Sequence, residues 1–195
     1  MTAANKQKVA GLLLAAGGSS RLGRPKQLVR VDGESLIRRA ARALIDSGAE
    51  PIVVVLGAEV EGCKVELADM PVAIRINEDW SEGMSTSIRC GIAAIREFGG
   101  ATGVLISLCD QLQVTAAELR RLIETSQGMP GKIVAAEYSA TLGVPAVFPS
   151  SYFDALEEIT GDKGARGLIR NEEGKVVAVP IQVADYDLDT ELDFP

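Results

Sequence analysis

A short loop after the first apolar stretch carries side chains suited to phosphate chemistry. Small residues from Ala15 to Ser20 are followed by three cations within six residues, Arg21, Arg24 and Lys26. The glycines of the loop allow a backbone to approach a ligand closely and to expose its N–H groups. Cations just beyond such a loop indicate a polyphosphate ligand. Because the chain has a net charge of −7, this positive cluster runs against the overall balance. A surface turn with solvated charges is the alternative.

Two familiar phosphate loops do not fit this run. The dinucleotide fingerprint needs glycines at spacings of two and three, which Gly17, Gly18 and Gly23 do not provide. Gly18 and Gly23 have the separation of the P-loop glycines, but Arg24 and Pro25 stand where that motif has Lys and Ser or Thr. The sequence therefore predicts a phosphate loop of another kind.

Carboxylates that could hold a metal ion occur in two places. Asp110 follows an apolar strand, where it can bind a divalent cation, cap a helix or close a turn. Asp185, Asp187 and Asp189 alternate near the end of the chain, and an extended backbone would put them on one face. A solvated acidic segment is the alternative for these three. Polyphosphate chemistry usually needs a metal, which favours a metal-binding role for Asp110.

Two further polar runs and one aromatic residue have both structural and functional interpretations. The hydroxyls of Gly83–Ser87 can cap the helix that follows, and the same helix terminus could receive an anion. The turn-like run Gly161–Arg166 offers Lys163 and Arg166 to a second phosphate. Trp80 is interpreted as a packing residue, although it could stack on a flat ring.

Composition excludes several classes of function. The chain has no histidine, which excludes Ser-His-Asp and Cys-His mechanisms and makes a magnesium site with oxygen ligands the expected kind of metal site. Its three cysteines are widely spaced and form no metal-binding or disulfide pattern. The acidic balance argues against nucleic acid as a partner. No stretch has the length of a membrane span, the polar start lacks a secretion signal, and a cytoplasmic location is therefore expected.

Strand-like and helix-like runs alternate along the chain. Strands are predicted over residues 9–14, 52–56, 72–76, 103–108, 133–136, 144–148 and 176–180. Helices are predicted over residues 35–47, 60–67, 151–159 and 164–170, one after Gly83, and one starting with a capping box of Thr115 and Glu118. We expect one domain over residues 1–195, with residues 1–7 disordered, and a three-layer α/β/α fold with a mostly parallel, Rossmann-like sheet. Ligands bind beyond the carboxyl ends of such strands, so the first loop and Asp110 should lie at the same edge.

Six segments in order resemble the MobA-like nucleotidyltransferases, and among these the molybdenum cofactor cytidylyltransferases. They are the opening run Leu14–Leu28 with Ser19, Arg21, Gly23 and Lys26, then Asn77–Ile88, Cys109–Gln111, Gly143–Phe148, Gly161–Arg166 and Asp187–Thr190. The resemblance implies the fold of the nucleotide-diphospho-sugar transferases. Three positions depart from the family pattern. Leu112 and Glu191 stand where the family usually has Pro, and Val144 stands where it often has His. Val144 would lie near the acceptor.

The resemblance also implies a reaction and the residues that perform it. CMP would pass from CTP to the terminal phosphate of molybdopterin-bound molybdenum with Mg²⁺ or Mn²⁺, and a molybdenum hydroxylase apoprotein could receive the product. Ala16 would indicate cytidine. The implied nucleotide-binding residues are Leu14, Ala15, Ala16, Gly17, Gly18, Ser19, Arg21, Lys26, Ser87 and Asp110. Arg21, Lys26 and Asp110 would be catalytic, Asp110 with Asp187 or Asp189 would hold the metal, and Gly143, Pro145, Lys163 and Arg166 would contact the acceptor. The alternatives are another NTP, a sugar phosphate or alcohol phosphate acceptor, or a non-catalytic protein that handles the molybdenum cofactor.

Overall fold

Alternating strands and helices build a layered structure around one large sheet. The computed structural model describes residues 8–18, 23–161 and 164–185. The strands are β1 (Val9–Ala15), β2 (Arg30–Val31), β3 (Glu34–Ser35), β4 (Ile52–Leu56), β5 (Ala73–Ile76), β6 (Gly103–Leu108), β7 (Ile133–Tyr138), β8 (Thr141–Pro149) and β9 (Val176–Pro180). The helices are α1 (Leu36–Ser47), α2 (Val60–Leu67), α3 (Met84–Phe98), α4 (Ala116–Gly128), α5 (Phe153–Glu158) and α6 (Gly164–Asn171).

The large sheet is mostly parallel, as the sequence predicts. Its seven strands lie in the order β5–β4–β1–β6–β8–β7–β9, and β8 is antiparallel to both of its neighbours. The other neighbouring pairs are parallel. Because β1 and β6 are parallel neighbours, the loops that follow them leave from the same edge of the sheet.

Successive side chains of β1 point to opposite faces of the sheet and belong to two separate layers of the core. Val9 and Leu13 pack with residues of α1, α2 and α4 on one face. Leu12 and Leu14 pack with residues of α3, α5 and α6 on the other. A strand buried on both faces needs a continuous apolar sequence, which is why β1 and β4 have no polar residue. The predicted three-layer α/β/α architecture is confirmed. No helix in the described ranges is long and apolar enough to cross a membrane.

Helix starts show one correct and one wrong prediction. The capping box at α4 is present: Thr115 Oγ1 accepts from Ala117 N–H at 3.3 Å, and Glu118 Oε2 accepts from Thr115 N–H at 2.9 Å. The prediction that a hydroxyl caps α3 is wrong, because this helix begins at Met84 after Gly83, whose φ is 119°. A left-handed φ of this kind favours glycine over a residue with a side chain.

The main elements missing from the sequence prediction are short. Strands β2 and β3 form a two-stranded hairpin whose turn residues, Asp32 and Gly33, both have positive φ, as a type I′ turn requires. A 3₁₀ helix, Lys26–Leu28, follows Pro25 directly. The helix predicted over residues 151–159 is divided into a 3₁₀ turn, Ser150–Tyr152, and α5. Residues 1–7, which were expected to be disordered, lie outside the described ranges.

Candidate active site

The loops after β1 and β6 place a cation and a carboxylate in direct contact. Lys26 Nζ, on the 3₁₀ helix, lies 2.5 Å from Oδ2 of Asp110, which follows β6. The two side chains are 19% and 15% exposed, so the pair is largely shielded from solvent. A charge-assisted hydrogen bond of this kind is about twice as strong as a neutral one. The structure therefore joins two residues that are 84 positions apart in the sequence.

The pair lies in a cleft of about 380 Å³ at the edge of the sheet. We call this the first cleft; its walls include Ala16, Gly17, Lys26, Trp80, Ser87 and Asp110. Leu14 and Ala15 also line it, and Gly18 is exposed beside it. Seven of the described residues that the resemblance implies for nucleotide binding thus line one cleft. Ser19 and Arg21, the remaining two candidates, lie outside the described residues.

The turn after β1 directs backbone N–H groups away from the strand. Ala16 O accepts from Ala58 N–H at 3.1 Å, and the carbonyls of Ala15 and Gly17 are also hydrogen-bonded. Within the described ranges, the N–H groups of Gly17 and Gly18 have no hydrogen-bond acceptor. Successive amides with unused donors at a strand end are suited to binding an anion.

Trp80 packs against this turn, as its interpretation as a packing residue predicts. A Cβ atom added to Gly18 would lie 3.0 Å from the indole ring, and one added to Gly57 would lie 2.6 Å from Trp80 Cβ and 2.7 Å from Ala16 O. The position of the tryptophan therefore requires glycine at position 57, whereas a side chain at position 18 would only have to displace the ring slightly. Trp80 supports the turn from the side of α3.

Asn77 is a site residue to which the sequence analysis assigned no role. Its Nδ2 group donates to Thr86 Oγ1 at 2.7 Å and to Ser87 Oγ at 2.9 Å, and its Oδ1 accepts from Asp79 N–H at 3.1 Å. The side chain is buried and connects the end of β5 with the first turn of α3. Because Asn77 donates to Ser87 Oγ, the hydroxyl hydrogen of Ser87 remains available as a donor. A polar residue directly after a strand at this edge was the signal that could have identified it.

Asp110 is suited to a divalent cation. Its Oδ1 atom is buried and has no hydrogen-bond partner in the described part of the chain, while Oδ2 contacts Lys26. A buried, unpaired carboxylate oxygen is an oxygen ligand of the kind that Mg²⁺ and Mn²⁺ prefer. No group of three His, Cys, Asp or Glu residues that could hold a metal occurs among the described residues. Asp187 and Asp189, the other implied ligands, lie outside them, and so does the side chain of Asp185.

A second cleft of about 410 Å³ adjoins the first. Met84, Ile88 and Val144 form apolar parts of its wall, and Tyr138, Arg166 and Arg170 supply polar groups. Leu14, Met84 and Leu108 line both clefts, so a ligand could extend from one to the other.

The implied acceptor residues are distributed unevenly around the second cleft. Arg166 lines it and lies 3.5 Å from Tyr138 Oη. Gly143 and Pro145 are buried in β8 on either side of Val144, whose side chain reaches the wall. Gly143 packs under Tyr138, since an added Cβ would lie 2.3 Å from Oη. Lys163 lies outside the described residues.

The cysteines do not supply a nucleophile. Burial, with a smaller effect from Glu59 and Glu66, raises the pKa of Cys63 to about 12. Burial also raises the pKa of Cys109, which precedes Asp110, and that of the partly exposed Cys90. The thiolate is the reactive form, so the raised pKa values disfavour these side chains as nucleophiles.

Comparisons with known proteins agree with this arrangement. The sequence model of the MobA-like NTP transferase domain matches residues 11–176. Nicotine blue oxidoreductase of Paenarthrobacter nicotinovorans is 34% identical over 173 residues, which cover 84% of this chain and 82% of that protein. A probable molybdenum cofactor guanylyltransferase of Opitutus terrae is 27% identical, with coverage of 91% and 87%.

Solved structures show the same fold. Rv0371c from Mycobacterium tuberculosis H37Rv has a TM-score of 0.83 and 30% identity, and the match covers 96% of each chain. The same protein has been solved as a complex with manganese; that structure has a TM-score of 0.75 and 26% identity, and the match covers 91% of this chain and 90% of that one.

Proposed function

Because the chain belongs to the MobA-like nucleotidyltransferase family, we propose that it transfers CMP from CTP to the terminal phosphate of molybdopterin-bound molybdenum and releases pyrophosphate. The observation that carries this proposal is the Lys26–Asp110 pair in the first cleft, beside the N–H groups of Gly17 and Gly18, which have no acceptor among the described residues. A cation, a carboxylate and free amides are the groups that a metal-bound triphosphate requires.

Each group has a separate role toward the nucleotide. The N–H groups of the turn and Lys26 would bind phosphate oxygens, together with Arg21 as the family resemblance implies. Asp110 would hold Mg²⁺ or Mn²⁺ through its unpaired Oδ1, with Asp187 or Asp189 as a further ligand. When bound, the cation supplies positive charge that offsets the repulsion between two polyanions. The remaining hydroxyl donor of Ser87 would bind the nucleotide from the α3 side.

The transfer step needs no general base. An oxygen of the acceptor's terminal phosphate attacks the α-phosphorus of the nucleotide, and one P–O bond forms as the bond to the bridging oxygen breaks. Pyrophosphate leaves with that electron pair. A terminal phosphate has a second pKa of about 6, so it is largely dianionic at neutral pH. The residues of the site therefore position the two substrates and neutralise their negative charge. These tasks need no histidine, and the chain has none.

The second cleft is proposed as the acceptor site. It adjoins the first cleft, and Arg166 offers a cation at its wall, to which Lys163 would add another. The apolar wall would contact the body of the acceptor, and Gly143 and Pro145 would shape it through β8. The product could then pass to a molybdenum hydroxylase apoprotein.

A panel of nucleotides tests the proposed reaction. We expect pyrophosphate release to depend on molybdenum cofactor and a divalent cation, and kcat/KM for CTP to exceed those for GTP and ATP by at least about tenfold. A preference for GTP would overturn the cytidine assignment and favour the activity named for the Opitutus terrae relative. No release with any nucleotide, combined with a redox reaction of nicotine blue, would instead favour the activity named for the Paenarthrobacter relative.

Replacing Arg166 by Gln tests the acceptor site. Loss of a charged hydrogen bond should raise the KM for the acceptor by about tenfold, while the KM for the nucleotide stays within about twofold. Steady-state kinetics with each substrate varied in turn measures both values. Arg120→Gln is the matched control, since this arginine lies on α4 and donates to Asp46 O. A larger effect on the nucleotide than on the acceptor would contradict the assignment.

A further inference from the structure

Gln27 is a buried polar residue that the proposed reaction does not use. Its side chain is 1% exposed, although it lies directly beside Lys26 on the 3₁₀ helix. Its Nε2 group donates to Ala15 O at 3.0 Å and to Gly17 O at 2.6 Å. One amide group therefore holds two carbonyls of the turn that follows β1.

These contacts determine where the N–H groups of the turn point. In a trans peptide the C=O and N–H bonds point in opposite directions. Because Gln27 holds the carbonyls of Ala15 and Gly17, the N–H groups of Ala16 and Gly18 are directed to the opposite side.

The first cleft extends to that opposite side, although Lys26 and Gln27 also line it. The 3₁₀ helix packs against α1 and α2, and an added Cβ on Gly62 of α2 would lie 2.5 Å from Leu28. Trp80 and Ser87 line the cleft from the region of α3, across the sheet. Gln27 therefore binds the turn from one layer, and the backbone N–H groups of the turn face the other layer.

We propose that Gln27 is a positioning residue, which holds the turn so that the amide of Gly18 faces the nucleotide phosphates and which fixes the backbone that carries Lys26. This inference rests on the proposed function, because it assigns that amide a phosphate ligand. The reaction itself occurs elsewhere in the cleft. A glutamine suits the task because its NH₂ group supplies two donors, whereas a carboxylate would repel both carbonyls.

Two variants separate positioning from mere packing. Gln27→Met keeps the length of the side chain but has no donor at any pH. Gln27→Glu is nearly isosteric, and its carboxyl group can donate only when it is protonated. Burial beside two carbonyls should raise the pKa of the introduced carboxyl above its ordinary value. Lys26, Cys109 and Asp110, the titratable side chains that line the same cleft in the described ranges, are unchanged in both variants.

The first measurement is kcat/KM for the nucleotide as a function of pH, divided by the wild-type value at each pH. At pH 8 the kcat/KM of both variants should be about 100-fold below the wild-type value, because oriented donors have been removed. For Gln27→Glu the ratio should recover about tenfold as the pH falls toward 6, since protonation restores one donor. For Gln27→Met the ratio should stay flat. Equal, pH-independent ratios for the two variants, or losses below about twofold, would overturn the proposal.

The second measurement does not depend on the base or the acceptor. Calorimetry with inorganic triphosphate and Mg²⁺ should show binding to the wild type and at least about tenfold weaker binding to Gln27→Met. Equal binding would overturn the positioning role. If triphosphate binding depends on Gln27 but the wild type transfers no nucleotide, the proposed function fails and the positioning role stands. If the wild type binds no triphosphate, the positioning role fails.

Discussion

Replacing Asp110 by Asn is expected to lower the turnover number for nucleotidyl transfer by about a thousandfold. The substitution preserves the size of the side chain but removes its charge. The buried Oδ1 atom would lose its affinity for a divalent cation, and Lys26 would lose its anionic partner at 2.5 Å. Pyrophosphate release measured over a range of Mg²⁺ concentrations gives both the turnover number and the apparent metal affinity. We expect both quantities to fall in this variant.

The control for this substitution is Asp79→Asn, which removes the same charge from an exposed side chain near Trp80. We expect its activity to stay within about threefold of the wild type, as for a solvated surface charge. The melting temperature of each variant separates loss of chemistry from loss of fold. If Asp110→Asn retained more than about a tenth of the wild-type turnover with an unchanged Mg²⁺ dependence, Asp110 could not be a metal ligand.

The sequence predicts the fold and the shared edge of the loops that carry Lys26 and Asp110, because both depend on chain direction. Apolar strands that alternate with helices must form a covered parallel sheet, and the ends of neighbouring parallel strands meet at one edge. Once Val9–Leu14 and Gly103–Leu108 are identified as strands, the loop with Lys26 and the loop with Asp110 must lie at that edge. Their order in the sheet was not predictable, since no local pattern states that β6 pairs with β1.

The supporting residues were not predictable, because their roles arise from contacts between distant elements. Gln27 and Asn77 are polar residues that look solvated in the sequence, yet both are buried and hold backbone or hydroxyl groups of the cleft. Likewise, the match between Trp80 and Gly57 depends on how β4 and the turn before α3 approach each other. The wrong capping prediction has a local cause: hydroxyls and glycine both occur at helix starts, and the backbone at Gly83 requires positive φ.

Replacing Lys26 by Met is the second large effect we expect, a loss of about 100-fold or more in kcat/KM for the nucleotide. The substitution keeps the aliphatic stem but removes the charge that would bind a phosphate oxygen. Lys26→Arg should recover only part of this loss, because a planar guanidinium does not reproduce a compact ammonium at a partly buried site. Lys64→Met is the matched control, since Lys64 forms an exposed ion pair with Glu61 at 2.9 Å. Initial rates with nucleotide varied at saturating acceptor measure the effect.

The double variant Lys26→Met/Asp110→Asn shows whether the two residues act as one unit. In the free protein they neutralise each other, so Lys26→Met alone leaves a largely shielded carboxylate without its cation and should destabilise the fold by about 1–3 kcal/mol. Adding Asp110→Asn removes that carboxylate and should restore most of the lost stability. Activity should not follow, because the double variant lacks both the cation and the metal ligand and should be about as inactive as the worse single variant. Restored stability together with abolished activity would show that the charges are kept for the reaction, whereas additive losses in both measurements would show that the two residues act independently.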